Sequence, residues 1–187
     1  MKVQPGRKRR PAFSPYGKHA PGRRPPRAPG GVLFLFLLLC LGLGFFTLGR
    51  GKVIKLDDGD SFTIFSEQRE FEKIRLYGID CPELNQPGGK EAKDFSSDLI
   101  FLKTVSVTPL YRDQYERTVA LVQLPDGRTL NEELIRNGQA WVYPQYCKEV
   151  WCPGWQRLER TARQNKVGLW AGTNPVPPWQ WRKNKRK

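Results

Sequence analysis

From residue 51 onward the apolar positions first alternate in short runs and only later recur with a helical period. The runs "GKVIKL" and "SFTIFS" read as strands separated by Asp57, Asp58, Gly59 and Asp60, and the Asp58-Gly59 pair is a strong hairpin signal. "FEKIRLYGI" reads as a third strand. Beyond the turn residues Pro87, Gly88 and Gly89, the residues Ala92, Phe95, Leu99 and Leu102 recur at spacings of three, four and three, which lays one apolar face along a helix. "TVSVTPLY" and "RTVALVQL" supply strands four and five, and the latter stops at the turn "PDG". Thr129 to Glu132 has the form of a capping box and starts a short helix that Gly138 ends. Pro153 opens a last helix with an apolar stripe of Trp155, Leu158 and Ala162, closed near Gly168. The expected fold is α+β: five short strands closing into a barrel, with about three helices attached. An OB-type barrel has this form and solves the edge-strand problem by closing.

Residues 32–48, "VLFLFLLLCLGLGFFTL", are 17 consecutive uncharged residues, at the lower limit for crossing a hydrocarbon core of about 30 Å. Residues 1–31 are basic and rich in Pro and Gly, and are expected to be a disordered leader held on the cytoplasmic side. The segment then reads as a transmembrane anchor with the following domain translocated, giving a single-pass inner-membrane protein with a periplasmic or extracellular domain. A signal peptide cleaved on secretion is the alternative, although "FFTLGRG" has no clear cleavage pattern. The globular domain is expected over 50–173, followed by a Pro/Trp-rich and then basic tail at 174–187.

The formal charge of +14 suggests a nucleic-acid binder until its distribution is considered. Residues 51–181 hold 17 basic and 18 acidic side chains, so the domain is nearly neutral and the basicity lies in the tails. Of the four cysteines, Cys40 lies in the apolar segment and Cys81 follows the third strand, leaving Cys147 and Cys152 as a C-x4-C pair. A zinc site lacks ligands, since His19 is the only histidine, so a disulfide in an oxidising compartment is expected, with two free thiols as the alternative.

The chemistry gathers in two acidic turns. Asp60 follows the first hairpin turn, and Asp80 and Glu83 follow strand three. If these strand ends meet, the carboxylates repel one another unless a hard divalent cation such as calcium or magnesium joins them; the plainer reading is that the acids simply form turns. Arg75 lies on the opposite strand face from Ile74 and Leu76, and Arg117 starts strand five; two guanidiniums near acids make a typical phosphate clamp.

Residues 51 to about 171 resemble the staphylococcal nuclease (thermonuclease) family through "VIKLDDGDSFTI", "IRLYGIDCPE", "GKEAKDF", "DQYERTVALVQLPDGRTLNEELIRNGQAWV" and "ARQNKVGLW". The resemblance implies an OB-type barrel and a calcium-dependent, sugar-non-specific nuclease. It implies that Asp60 and Asp80 hold calcium with the backbone carbonyl of Cys81, where threonine is familiar. Glu83 would then activate the attacking water, and Arg75 and Arg117 would stabilise the phosphate. Glu116 stands where a glycine is common. Tyr115 and, less closely, Tyr143 or Tyr146 match positions near the nucleotide pocket. DNA and RNA are the implied partners, single strands above all because nothing here reads base edges, and the protein is expected to be a monomer. The competing readings are a non-catalytic nucleic-acid-binding module of the same fold and an anchored scaffold whose basic tails act. "RKNKRK" holds substrate, touches anionic lipid or is a solvated tail.

Overall fold

The computed structural model describes residues 49–185. The expected leader, the apolar segment 32–48 and the last two tail residues lie outside them. Among the described residues no helix is long and apolar enough to cross a membrane.

Strands β1 (Gly49–Leu56), β2 (Ser61–Ser66), β3 (Phe71–Leu76), β5 (Thr104–Arg112) and β6 (Thr118–Gln123) close into a barrel in the order β1-β2-β3-β6-β5. Neighbours are antiparallel except β3 and β6, whose parallel pairing sets Ile74 opposite Thr118 and Leu76 opposite Ala120. A parallel pair needs a long crossover. Here it contains β4 (Ile79–Asp80), helix α1 (Gly89–Ile100) and β5. In β1 the register shifts between Val53 and Lys55, so Val53 and Leu56 both face inward while Lys55 stays exposed. This is the effect of a bulge, which adds a residue to one strand. Val53, Phe62, Ile64, Ile74, Leu76, Val105, Ala120 and Val122 fill the interior with Ile100 and Leu134 from the helices. Each large side chain so buried contributes roughly 1.5–3 kcal/mol of transfer free energy.

Two local expectations are corrected. Helix α1 buries Gly89, Ala92, Ser96 and Ile100, while Phe95 and Leu99 lie at its margin and Leu102 is exposed outside it. The face is rotated because Ser96 can be core-facing: its hydroxyl donates to the Gly59 carbonyl at 2.5 Å, which removes the cost of burying it. The Asp58-Gly59 pair does turn the chain between the antiparallel strands β1 and β2, as a hairpin signal should, although neither residue has positive φ. Gly59 is needed for space instead, because a Cβ there would lie 2.9 Å from Cys81 Sγ and 3.0 Å from Ala92 Cβ. Thr129 does precede helix α2 (Leu130–Arg136), but its side chain makes no cap hydrogen bond. The Glu132 carboxylate accepts from Trp155 Nε1 at 3.1 Å rather than reaching back to residue 129.

Helix α3 (Cys152–Gln164) starts around Pro153 and buries Trp155 and Ala162. Just before it the Cys147 and Cys152 sulfurs are bonded, with Cα atoms 5.7 Å apart. Such a short closed loop contributes about 2 kcal/mol in the chain-entropy account. Asn131 is fully buried, donating to the Tyr77 carbonyl at 3.0 Å and accepting from Val122 N at 3.2 Å, which pins α2 to the barrel.

Two elements were not anticipated. Strand β4 pairs with β7 (Trp141–Val142), Asp80 opposite Trp141, in a sheet of two-residue strands too short to leave a pattern. The tail carries a fourth helix, α4 (Pro178–Lys185), with Pro178 at its start where the ring fits a helix N-terminus.

Candidate active site

The β1–β2 turn and the segment leaving β3 meet at one end of the barrel. Asp58 accepts from the Asp60 N–H at 2.9 Å, which shapes the turn. Asp60 Oδ2 accepts from the Cys81 N–H at 2.6 Å, and this bond locks the two acidic segments together. Arg75 bridges the carboxylates, with Nη1 2.6 Å from Asp60 Oδ1 and Nη2 2.8 Å from Asp80 Oδ1. Asp60 and Asp80 are almost wholly buried, at 3% and 1% exposure, so this pairing is what makes their position tolerable.

Burial raises the Asp60 and Asp80 carboxyls above their ordinary range, partly offset by Arg75. Asp58 is raised to about 7, first by burial and then by the neighbouring Asp60 charge. Burial lowers the Arg75 guanidinium, yet Asp60, Asp80 and Asp58 outweigh that and hold it above its usual value. Glu83 is half-exposed and lines a cleft of about 200 Å³ with Asp57, Asp58, Leu84 and Asn85. Gln86 fixes the Glu83 backbone by accepting its N–H at 3.2 Å.

Arg117 reaches the same site from the other side. Its guanidinium is held by Asp113, Nε at 2.8 Å and Nη2 at 2.7 Å, and its Nη1 lies 3.4 Å from Ser61 Oγ, which in turn is 3.2 Å from Asp60 Oδ1. Asp113 also accepts from the Tyr115 and Arg117 N–H groups, so one carboxylate organises the whole loop. Glu116 sits in that loop at φ 60, the left-handed region that suits glycine. Tyr115 is 66% exposed, with the Arg117 guanidinium 5.4 Å from its ring centre. Tyr143 follows β7, is tied by its N–H to the Gly78 carbonyl at 2.8 Å, and stacks on Trp179 at 4.8 Å with planes 11° apart. Tyr146 meets the Tyr143 ring edge-on at 4.8 Å.

The candidate residues thus converge, but with a partner that was not expected. Arg182 of α4 enters the site, Nη2 2.8 Å from Asp80 Oδ2 and Nη1 2.7 Å from Glu83 Oε1. In "PPWQWRKN" the prolines mark a helix start, but nothing marks Arg182 as a partner of the acids. The positioning roles of Ser61, Gln86 and Asp113 left no mark either, because each depends on a partner distant in space or on loop geometry.

The donors available for a cation are oxygens. Asp60 and Asp80 offer carboxylates, while the Cys81 thiol is buried against Gly59 and raised far above its ordinary value by that burial, unsuited to act as a thiolate ligand. This chemistry fits calcium or magnesium. Among the described residues no three His, Cys, Asp or Glu side chains are gathered around a common point, and Arg75 and Arg182 pair with the Asp60 and Asp80 oxygens.

The family described as "Staphylococcal nuclease homologue" matches residues 73–172. An "Uncharacterized endonuclease" of Escherichia coli O157:H7 is 40% identical over 156 residues, covering 82% of this chain and 95% of the relative. A protein of Haemophilus influenzae with the same description is 35% identical over 72% of this chain and 74% of its own length. A "Micrococcal nuclease" of Shigella flexneri is 34% identical over 72% of this chain and 80% of its own length.

Proposed function

Because the chain belongs to the staphylococcal nuclease family, we propose that it is a calcium-dependent nuclease hydrolysing phosphodiester bonds of both DNA and RNA. The observation that carries this reading is the Asp60–Arg75–Asp80 network beside a half-exposed Glu83, a set of groups whose charges serve phosphoryl chemistry and do nothing for the core. Asp60, Asp80 and the Cys81 carbonyl would hold calcium. When bound there, that ion supplies charge neutralisation at the phosphoryl group. Glu83 takes a proton from the attacking water. Arg75 and Arg117 stabilise charge on the equatorial oxygens, and their planar forks suit that task better than lysine would.

Tyr115 and Tyr143 present rings on which unpaired bases stack, which supports a preference for single strands. No side chain in the network is committed to base edges, so cleavage is non-specific in sequence.

Digestion of single-stranded DNA and RNA oligonucleotides by the full chain, with calcium or with chelator, tests the assignment. Glu83→Gln should lower the rate by about 10²- to 10⁴-fold, the usual worth of a general base. Equal rates for the two proteins would remove Glu83 from the mechanism. No cleavage with any divalent ion would leave only a nucleic-acid-binding module.

The same reading puts the domain outside the cytoplasmic membrane, anchored through 32–48 or secreted after cleavage. The Cys147–Cys152 bond supports an oxidising compartment. A phosphatase fused after Trp170 should be active in intact cells; an inactive fusion argues against translocation.

A further inference from the structure

Helix α4 touches the site at two points of different chemistry. Its Arg182 guanidinium spans Asp80 and Glu83, the metal-binding carboxylate and the general base of the proposed mechanism. Its Trp179 covers one face of Tyr143, a ring offered to a base in the same mechanism. The two residues lie one helical turn apart and so share a face of α4. Trp181 adds a hydrogen bond from Nε1 to Asn85 Oδ1 at 3.2 Å, and Gln86 Nε2 donates to the Val176 carbonyl at 2.5 Å, holding the chain that leads into the helix.

The segment is docked but not closely packed. Residues 172–176 and Trp181 line a partly open cleft of about 440 Å³ with Gln86, Gly88 and Leu169. Close packing is what makes a contact hard to release, and an open cleft beneath the segment leaves that side without it. The charges point the same way. Without Arg182 the carboxyls of Asp58, Asp60, Asp80 and Glu83 would face Arg75 and, beyond Ser61, an Arg117 already held by Asp113, an imbalance that a divalent cation corrects.

We infer that α4 is an intramolecular plug: Arg182 holds Asp80, one of the two carboxylates proposed to bind the cation, Trp179 covers a base-stacking ring, and loading of cation and single-stranded nucleic acid displaces the helix. This rests on the proposed nuclease reading for the identity of both ligands. Two ligands that compete for one set of oxygens weaken each other reciprocally, with couplings commonly of 5- to 150-fold. Once displaced, the freed Arg182, with Lys185 beside it, is available to strand phosphates at the mouth of the site.

The test uses the full chain and calcium alone, with binding measured by titration calorimetry. Arg182→Gln should bind calcium about tenfold more tightly than the parent protein. Lys183→Gln removes an equal charge from an exposed position on the same helix and should leave the affinity unchanged. Calcium should also speed amide hydrogen exchange in 178–185 of the parent chain and change its tryptophan emission. Equal calcium affinity in the parent and Arg182→Gln, or unchanged exchange in 178–185 at saturating calcium, overturns the plug while the calcium reading stands. A tenfold gain in Lys183→Gln as well overturns it by showing general electrostatics. If none of the three proteins binds calcium, the calcium reading fails and the plug falls with it.

Discussion

Glu116 illustrates how a single backbone angle separates this chain from the usual pattern at its position. At φ 60 a side chain costs about 1–2 kcal/mol that glycine does not incur, partly offset by the greater freedom glycine brings to the unfolded chain. Glu116→Gly should therefore raise stability by about 0.5–1 kcal/mol in urea unfolding. Asp113 keeps the loop in place through its bonds to Tyr115 and Arg117, so activity should change little. A loss of stability would mean that the glutamate contributes something its contacts do not reveal. At this scale the sequence was a good guide to chemistry. Asp60, Arg75, Asp80, Glu83 and Arg117 stood out by residue type and spacing, with turn formation as the plainer reading of the acids and the resemblance supplying their roles; the structure brings the five side chains to one end of the barrel. Arg182 was not legible as a site residue. It lies about a hundred positions from its partners, and a run of cations in a tail reads equally well as a solvated surface.

At the scale of elements, the five barrel strands and the three helices of the domain could be read from periodicity, whereas the pairing order of the strands and the rotation of the helices could not. Helix α1 makes the reason plain. Its pattern pointed to Phe95 and Leu99 because they are large and apolar, but the barrel accepts the small residues Gly89, Ala92 and Ser96 so that the helix can approach closely. Gly59 is the counterpart of that approach across the interface. Gly59→Ala would set a Cβ within 2.9 Å of Cys81 Sγ and 3.0 Å of both Cys81 Cβ and Ala92 Cβ. These neighbours are buried and cannot swing aside, so the turn must shift. The expected loss is about 1–3 kcal/mol, visible as a lower urea midpoint, accompanied by weaker calcium binding because Asp58 and Asp60 flank the displaced residue. A variant as stable as the parent would show that the turn has slack. The two-residue strands β4 and β7 are the opposite case: too short for any pattern, they nonetheless fix the backbone of Asp80 opposite Trp141.

At the scale of the whole molecule the site is held against the preference of its own charges, and stability should therefore depend on pH in a definite direction. Asp58 has a folded value of about 7 against an ordinary 3.8, so between those values the folded chain binds more protons than the unfolded one. Stability then falls as pH rises through this window. Asp60 and Asp80 are raised as well and act in the same sense. Asp113 acts oppositely: burial would raise it, but bonds from Arg117 and Tyr115 prevail and lower it, so the stability it contributes is lost only in stronger acid. Maximum stability without metal should accordingly lie in the mildly acidic range. Urea unfolding in chelator should show a loss of roughly 2 kcal/mol between pH 5 and pH 8. Asp58→Asn should flatten that slope and gain more stability at pH 8 than at pH 5. Saturating calcium should also flatten it, since an ion stabilises the charged carboxylates that burial disfavours. A midpoint that rises toward pH 8 in chelator, or an Asp58→Asn profile parallel to the parent, would mean that Arg75 and Arg182 already neutralise the site in full.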